Sequence, residues 1–441
     1  MSEELFDPTT HKPSATRIAA RVATSPTPLG RGADGEMYEY REGVFARDER
    51  VVQRRVAAEL GDRYSATVLG QVDAHLLNVD LSTVGLPELP RGYLEYIVLE
   101  NGIYWWLDDE IEPHSPALGA MTKLPIVRDP SAIPHEMFAW MTQVLGDDAE
   151  LHRHVWEILG YLLMTGNPLQ KIFLLHGDGG NGKGTFMRLV RAMLGRESYS
   201  SISMHQLVDD RFATAGLYGK IANISGDLSS KFLSDPQILK EITGGDSITA
   251  SRKFGQSFEF VPYAVPLFAS NDHFRTSDNS AGWRRRWEVV DFAVPVEEMV
   301  NRGEMRALDE QVLLDEAPGI FNVAMDGLRR LMARGRFAPP QSARDATTRL
   351  HDAADPFLLW LDEDDGVYLG ELHSDPTALV YARYKRWCGR NGYSAMASGP
   401  FGQRVLRLDG ITRTRTRSGA DGSRVYRYEG IGVAQSVHDE P

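Results

Sequence analysis

The residues best suited to chemistry in this sequence form a glycine-rich run that ends in a lysine. Residues 177–183 read Gly-Asp-Gly-Gly-Asn-Gly-Lys and match the pattern G-x-x-x-x-G-K. Glycines let backbone N–H groups turn toward an anion without a Cβ clash, and the next helix adds the positive end of its dipole. The lysine can then reach the terminal phosphates of a nucleotide. We therefore expect ATP as the cofactor, bound by Gly177, Asp178, Gly179, Gly180, Asn181, Gly182, Lys183, Gly184 and Thr185.

The position after the lysine departs from this pattern. Gly184 stands where a Ser or Thr usually binds magnesium, and Thr185 follows one residue later. We expect Mg²⁺ to be bound by Thr185, or by water alone at this position. The alternative is a chance glycine-rich turn. An apolar strand pattern at residues 172–175 and a helical pattern after Lys183 argue against it.

Two further polar residues each follow an apolar strand. Asp227 comes after residues 220–226 and is expected to bind magnesium and to orient water. It is a single acid where many such ATPases have two, so the division between metal ligand and catalytic base stays open. Asn271 ends the strand predicted at residues 265–270, where ligands bind in α/β sheets. It could sense the γ-phosphate or place the attacking water, or it could simply form a turn before Asp272.

Basic residues occur at two places downstream. A hairpin predicted over residues 248–260 has Arg252, Lys253 and Phe254 at its tip. Local composition slightly favours a solvated turn, but such a tip also suits a phosphate backbone. Three arginines at 284–286 precede an apolar strand. They form either a solvated cluster or the source of an arginine, with Arg285 and Arg286 as candidates, that reaches a neighbouring subunit's nucleotide.

The C-terminal region has its own pattern. Three helices and a final hairpin are predicted over residues 355–436, which fits a winged helix. Within residues 404–427, seven arginines face only Asp409 and Asp421. This excess favours contact with DNA, and a structural module with a solvated basic wing is the alternative. The wing residues expected to bind DNA are Arg413, Arg415 and Arg417.

Composition sets the limits of the interpretation. The chain has 441 residues and a net charge of −13, which argues against a generally basic nucleic-acid coat. The single cysteine, Cys388, excludes an internal disulfide and a cysteine-based metal site and is expected to be buried. Neither a signal peptide nor an apolar run that could span a bilayer is evident. We expect a cytoplasmic protein.

The elements that position these residues follow from hydrophobic spacing. Hairpins are predicted at residues 36–45 and 96–107, the second turning at Asn101-Gly102. Helices are predicted from residues 51 and 66, and before the glycine run around residues 138–145 and 156–163. Residues 1–30, rich in Ser, Thr and Pro, are expected to be poorly ordered.

Several motifs occur in a fixed order along the chain. They are residues 101–102, 114–116, 160–163, 170–171, 177–185, 224–227, 240–246, 258–260, 270–271 and 284–287. As a set they resemble the phage and plasmid primase–helicase family, within the superfamily 3 helicases related to the poxvirus primase–helicase. The resemblance covers most of residues 35–295, with a weaker match beyond.

This resemblance implies a hexameric ring ATPase that moves along single-stranded DNA. In such proteins the lysine and loop hold ATP, the second-strand acid serves magnesium and water, and the asparagine senses phosphate. An arginine from the neighbouring subunit completes the site, and the basic hairpin points into the central channel. Longer relatives carry a primase domain. No paired-acid polymerase signature is evident here, so no primase activity is expected.

The resulting fold prediction is an α/β protein with a P-loop, AAA+-like ATPase core. The predicted regions are an N-terminal α+β region (1–90), a family-specific region with a helical collar (91–167), the ATPase core (168–300), a helical segment (301–345) and a winged-helix-like DNA-binding domain (346–441).

The predicted function is an ATP-dependent DNA helicase for replication of a phage or mobile element. Its expected partners are single-stranded DNA, duplex origin DNA and a separate primase or polymerase, with no membrane. If a phage encodes the protein, the expected location is the cytoplasm of the host cell. The alternatives are an ATP-gated DNA-binding initiator or helicase loader, and a nucleotide kinase.

Overall fold

The computed structural model describes most of the chain. The described residues are 3–24, 27–78, 86–226, 232–233, 236–253, 255–272, 275–276, 278, 280–307, 309–353, 355–393, 395–418 and 423–434. Asp227 and Phe254 lie outside them, and so does the side chain of Arg417. Within these ranges no helix is both long enough and apolar enough to cross a membrane.

The helices and strands are numbered here in chain order. The helices are α1 (Ala15–Thr24), α2 (Val51–Leu60), α3 (Ala66–Asn78), α4 (His135–Leu145), α5 (Ala149–Leu163), α6 (Lys183–Leu194), α7 (Met204–Asp209), α8 (Gln237–Gly244), α9 (Ala281–Arg284), α10 (Val296–Asn301), α11 (Glu310–Asp315), α12 (Ala317–Arg334), α13 (Gln341–Ala353), α14 (Pro356–Glu363), α15 (Thr377–Arg390) and α16 (Ser398–Val405). The strands are β1 (Leu29–Arg31), β2 (Met37–Arg41), β3 (Val44–Arg47), β4 (Tyr96–Leu99), β5 (Gly102–Trp105), β6 (Glu110–Glu112), β7 (Ile172–His176), β8 (Tyr199–Ser200), β9 (Ala222–Gly226), β10 (Phe232–Leu233), β11 (Ile248–Ser251), β12 (Ser257–Phe260), β13 (Val265–Ser270), β14 (Arg275–Thr276), β15 (Trp287–Asp291), β16 (Val367–Pro376), β17 (Thr412–Ser418) and β18 (Ser423–Val433).

The chain divides into two compact units. The first consists of Met1–Asp227, Ile238–Asn271 and Arg286–Ala343, and the second of Leu228–Gln237, Asp272–Arg285 and Arg344–Pro441. The five regions predicted from the sequence are a finer division than these two units, and that division stays a prediction.

A five-stranded parallel sheet forms the centre of the first unit, in the order β15-β7-β13-β9-β8. Every residue of β13 is buried, as are the first four of β7. Parallel strands covered on both faces need such continuous apolar runs. The α/β class predicted from the sequence is therefore confirmed. Since β7 and β13 are neighbours, the residues that follow their carboxyl ends lie close together.

The helices before the glycine run pack closely on a later helix. A Cβ atom added at Gly160 in α5 would lie 2.2 Å from the carbonyl oxygen of Ala324 in α12. One added at Gly327 in α12 would lie 2.6 Å from the carbonyl oxygen of Trp156. Two glycines thus let the backbones of α5 and α12 touch, and this crossing is part of the large core that includes the sheet.

Residues 3–24 and 27–30 form part of a folded layer, so the expectation of poor order is wrong for these residues. The helix α1 buries Ile18, Ala19 and Val22 against α2 and α3. These three residues lie on one face of a helix, and their burial outweighs the Ser, Thr and Pro around them. The strands β1, β2 and β3 form a small antiparallel sheet beside them. The hairpins predicted at residues 36–45, 96–107 and 248–260 are confirmed.

The second unit combines the helices α14, α15 and α16 with a three-stranded antiparallel sheet in the order β16-β18-β17. The three helices and the β17–β18 hairpin match the sequence prediction, whereas β16 was not predicted. Cys388 lies buried in the core of this unit, as expected, among aromatic residues such as Tyr384 and Phe401.

Candidate functional site

The glycine-rich loop joins β7 to α6 at the carboxyl edge of the parallel sheet. Gly180 and Gly182 have φ angles of 70° and 98°, which side chains with a Cβ atom rarely adopt. A Cβ at Gly180 would lie 2.4 Å from Oε2 of Glu297, and one at Gly182 would lie 2.7 Å from Cγ1 of Val144. The loop therefore needs glycine for both its conformation and its packing. Its last residue leads directly into the first turn of α6, where free N–H groups can bind an anion.

Lys183 is buried at the start of α6, with only 7% of its surface exposed. Its Nζ donates hydrogen bonds to the carbonyl oxygens of Gly177 and Asp178, both at 2.6 Å, and to Oδ1 of Asn181 at 3.0 Å. Burial lowers the pKa of this ammonium, and the charge of Asp178 partly offsets the effect. The loop thus folds around its own lysine, and phosphate oxygens would replace the loop carbonyls as partners.

Asn181 fixes the loop to the rest of the sheet. Its Nδ2 donates to the carbonyl oxygen of Phe292, directly after β15, while its Oδ1 accepts from Lys183. The side chain is 3% exposed. Asn181 therefore couples the position of Lys183 to the neighbouring strand, a role that the sequence motif did not reveal.

The loop borders a cavity of about 410 Å³. This volume lies within the range of about 300–1,000 Å³ that is usual for ligand pockets. Residues 179–185 and Asn271 all line it, so the structure brings most of the residues predicted for the nucleotide site together around one cavity. Residues that sequence reasoning missed also line this cavity: Trp140, Gln143, Arg188, Val296 and Glu297.

Of the two predicted magnesium ligands, Thr185 and Asp227, the structure describes only Thr185. The hydroxyl of Thr185 accepts a hydrogen bond from Nη2 of Arg188 at 3.1 Å. Asp227 lies outside the described residues, directly after β9. Glu297 adds a carboxylate to the cavity wall. Because Mg²⁺ usually keeps several waters and binds one or two carboxylates together with substrate phosphates, this sparse donor set fits a phosphate-bound ion.

The arginines at 284–286 have different environments. Arg286 is buried in the first unit, where its Nε donates to Oγ1 of Thr243 at 2.9 Å. It thereby braces α8 within the same chain. Arg285 is exposed at the end of α9, in the second unit. The geometry therefore favours Arg285 over Arg286 for contact with another subunit, and that contact stays a prediction.

The basic hairpin is joined to the N-terminal layer. Nη2 of Arg252 pairs with Oδ2 of Asp34 at 2.7 Å, and the side chain of Asp34 is fully buried. Lys253 is exposed beside it. Both residues line a second cavity, of about 820 Å³. The basic residues around that cavity are Arg47, Lys123, Arg196, Lys220, Arg252 and Lys253.

The C-terminal arginines lie in two kinds of environment. Arg413 and Arg415 are exposed on β17, and each lies over the ring of Tyr426 at 5.2 and 5.3 Å. By contrast, Arg404 pairs with the fully buried Asp355, and Arg427 donates to Oγ of Ser374 at 3.0 Å. The excess of arginine counted in the sequence thus includes two residues that stabilise the fold.

Comparison with known proteins gives three findings. Residues 175–286 match a family of unknown function (DUF5906). A protein of Acanthamoeba polyphaga mimivirus named "Putative helicase L207/L206" is 26% identical over 153 residues, which are 33% of this chain and 16% of that protein. The chain thus spans about a sixth of that relative's length.

The third finding concerns the fold. Two apo structures of the NrS-1 C-terminal region superpose with TM-scores of 0.51 and 0.52, at 12% and 11% sequence identity. Each comparison covers 95% of this chain and at least 98% of the other. At such identity the likeness establishes a related fold along nearly the whole chain.

Proposed function

We propose that this chain is an ATP-driven motor that acts on single-stranded DNA in the replication of a phage or virus. The observation that carries the proposal is the position of Lys183, Asn271 and the glycine loop around one cavity at the carboxyl edge of the parallel sheet. Hydrolysis of a nucleoside triphosphate needs a cation at the phosphates and a polar group that positions water. The similarity to a viral protein named as a helicase supports DNA as the substrate of the motor.

Within this proposal the chain is a superfamily 3, AAA+-like P-loop ATPase that works as a hexameric ring. Lys183 and the loop N–H groups bind the phosphates of ATP, while Thr185, Asp227 and Glu297 serve the magnesium ion and its waters. Asn271 orients the attacking water. Arg285 reaches the nucleotide of the neighbouring subunit, which its exposed position supports.

The proposed DNA contacts lie on two surfaces. The tip of the β11–β12 hairpin presents Lys253 and Arg252 beside the basic cavity, and a phosphate backbone would compete with Asp34 for Arg252. In the second unit, the winged-helix-like module would present Arg413 and Arg415 next to Tyr426, which combines charge with an aromatic surface.

One experiment tests the motor. ATP hydrolysis is measured with and without single-stranded DNA for the wild type, Lys183→Ala and the control Lys12→Ala, together with strand displacement. Lys12 is exposed near the N-terminus, far along the chain from the loop. We expect hydrolysis that DNA stimulates and that Lys183→Ala abolishes. Hydrolysis without displacement would favour a helicase loader, and transfer of phosphate to a nucleoside monophosphate would refute the motor.

The ring is tested separately by subunit mixing. Arg285→Ala and Lys183→Ala subunits should each be inactive alone, because one lacks the arginine and the other the lysine of a shared site. Mixed rings should regain activity, since some interfaces then contain both residues. Absence of recovery at every mixing ratio would exclude a site shared between subunits.

A further inference from the structure

Arg188 lies where it can contact a nucleotide, although no motif marks it. It belongs to α6, five residues after Lys183, and lines the same cavity as Lys183, Thr185 and Asn271. Its side chain is 54% exposed. The cavity therefore contains a second cation that the proposed function leaves without a role.

Gly184 explains how Arg188 comes to lie there. Residues 184 and 188 are one helical turn apart, on the same face of α6. A Cβ at Gly184 would lie 3.1 Å from Nη1 of Arg188, closer than ordinary van der Waals contact. The guanidinium group thus covers the place where the usual Ser or Thr side chain would begin. Its Nη2 also donates to the hydroxyl of Thr185, at 3.1 Å.

A carboxylate holds the other edge of the guanidinium. Nε of Arg188 donates to Oε1 of Glu310 at 2.7 Å, and Nη2 donates to Oε2 at 2.8 Å. Glu310 is the first residue of α11 and is 37% exposed. Pairs as exposed as this one contribute little to stability, so an exchange of partner is energetically inexpensive. Phosphate accepts the same paired N–H groups as a carboxylate and carries more charge.

We propose that Arg188 binds the phosphates of the nucleotide and that Glu310 competes with them for its guanidinium group. The inference rests on the proposed function, because it requires a nucleotide in this cavity. Arg188 then supplies, from within the same subunit, a positive charge at the place where Gly184 removes the usual magnesium-binding hydroxyl. Glu310 lowers the affinity for nucleotide by offering Arg188 an alternative partner.

The test measures binding of a fluorescent ATP analogue, with magnesium, to the full chain. Arg188→Ala should weaken binding by about tenfold or more, since a charged hydrogen-bond pair to phosphate is lost. Arg188→Lys, which keeps the charge, should recover part of the affinity. Glu310→Gln should tighten binding by about two- to fivefold, because the competing charge is removed. Melting temperatures check that each variant is folded.

The pair of Arg21 and Glu59 provides the matched control. It also joins two helices, with side chains 58% and 28% exposed and an Nε–Oε1 distance of 3.3 Å. Arg21→Ala and Glu59→Gln should leave binding unchanged. If Glu310→Gln weakens binding as Arg188→Ala does, or if Arg188→Ala binds like the wild type, the inference is overturned while the proposed function stands. A wild type that binds no ATP overturns both.

Discussion

Replacing Gly160 with alanine should destabilise the first unit, although alanine favours a helix more than glycine does. The added Cβ atom would lie 2.2 Å from the carbonyl oxygen of Ala324, and ordinary contact begins near 3.4 Å. The two helices would therefore separate by about 1 Å and lose close contacts along their crossing. Backbone atoms cannot rotate away as a flexible side chain can.

The magnitude follows from two opposing effects. Overpacking against a backbone atom destabilises the folded protein by about 3 kcal/mol, and the higher helix propensity of alanine stabilises it by about 1 kcal/mol. We expect Gly160→Ala to lower the free energy of unfolding by about 2 kcal/mol. Gly70, exposed in the middle of α3, has no atom within 4 Å of its Cβ position. Gly70→Ala should therefore raise the free energy of unfolding by about 0.5–1 kcal/mol.

Urea unfolding followed by tryptophan fluorescence measures both variants. Gly327→Ala provides a further check, because its Cβ would lie 2.6 Å from the carbonyl oxygen of Trp156 across the same crossing. Once one alanine has separated the helices, the second should destabilise the protein less. The decrease in the free energy of unfolding should therefore be smaller for the double variant than the sum of the decreases for the two single variants. A Gly160→Ala protein as stable as Gly70→Ala would refute the reasoning.

Two other predictions concern buried charge. Burial, with Lys171 and Arg334 nearby, lowers the pKa of His154 to about 4. Protonation of His154 should therefore leave the free energy of unfolding unchanged above about pH 6.5 and lower it by up to about 3 kcal/mol as the pH drops toward 4. His154→Phe should remove this part of the decrease, which urea titrations at successive pH values measure. Asp355→Ala should destabilise the second unit by about 3 kcal/mol, since it leaves Arg404 unpaired and removes the cap on the N–H of Phe357. Asp355→Asn can still accept the hydrogen bond from the N–H of Phe357, so its free energy of unfolding should fall less than that of Asp355→Ala in the same assay. An equal decrease for the two variants would show that the cap contributes nothing.

Local pattern was sufficient for much of the fold and for part of the site. The strand before Gly177, the helix after Gly182 and the hairpins are determined by neighbours in sequence, and the structure confirms each of them. The glycine-rich motif predicts Lys183, and the end of an apolar strand predicts Asn271. Parallel strands that lie side by side bring their carboxyl ends together, which explains why these two residues border one cavity.

Other features depend on residues far apart in the sequence and could not be read from local pattern. Arg188 and Glu310 are separated by 122 positions, and Arg404 and Asp355 by 49. A count of charges cannot distinguish an arginine that faces solvent from one paired with a buried acid. Local pattern does not predict the helix α1 for a related reason, since the apolar face of α1 is short and becomes stable only against α2 and α3.

The segments of the two units alternate along the sequence, and this order has a consequence for biosynthesis. The chain enters the second unit at β10, returns to the first, enters again at β14 and α9, and completes the second unit only after residue 344. Two early segments therefore leave the ribosome long before the residues that they pack with have been made. Trp283 of α9 is fully buried in the folded protein, so we expect its side chain to stay exposed to solvent until the residues after 344 have been synthesised. Cutting the gene after residue 343 would leave those segments permanently without their unit, so the C-terminal module cannot be removed as a simple tail.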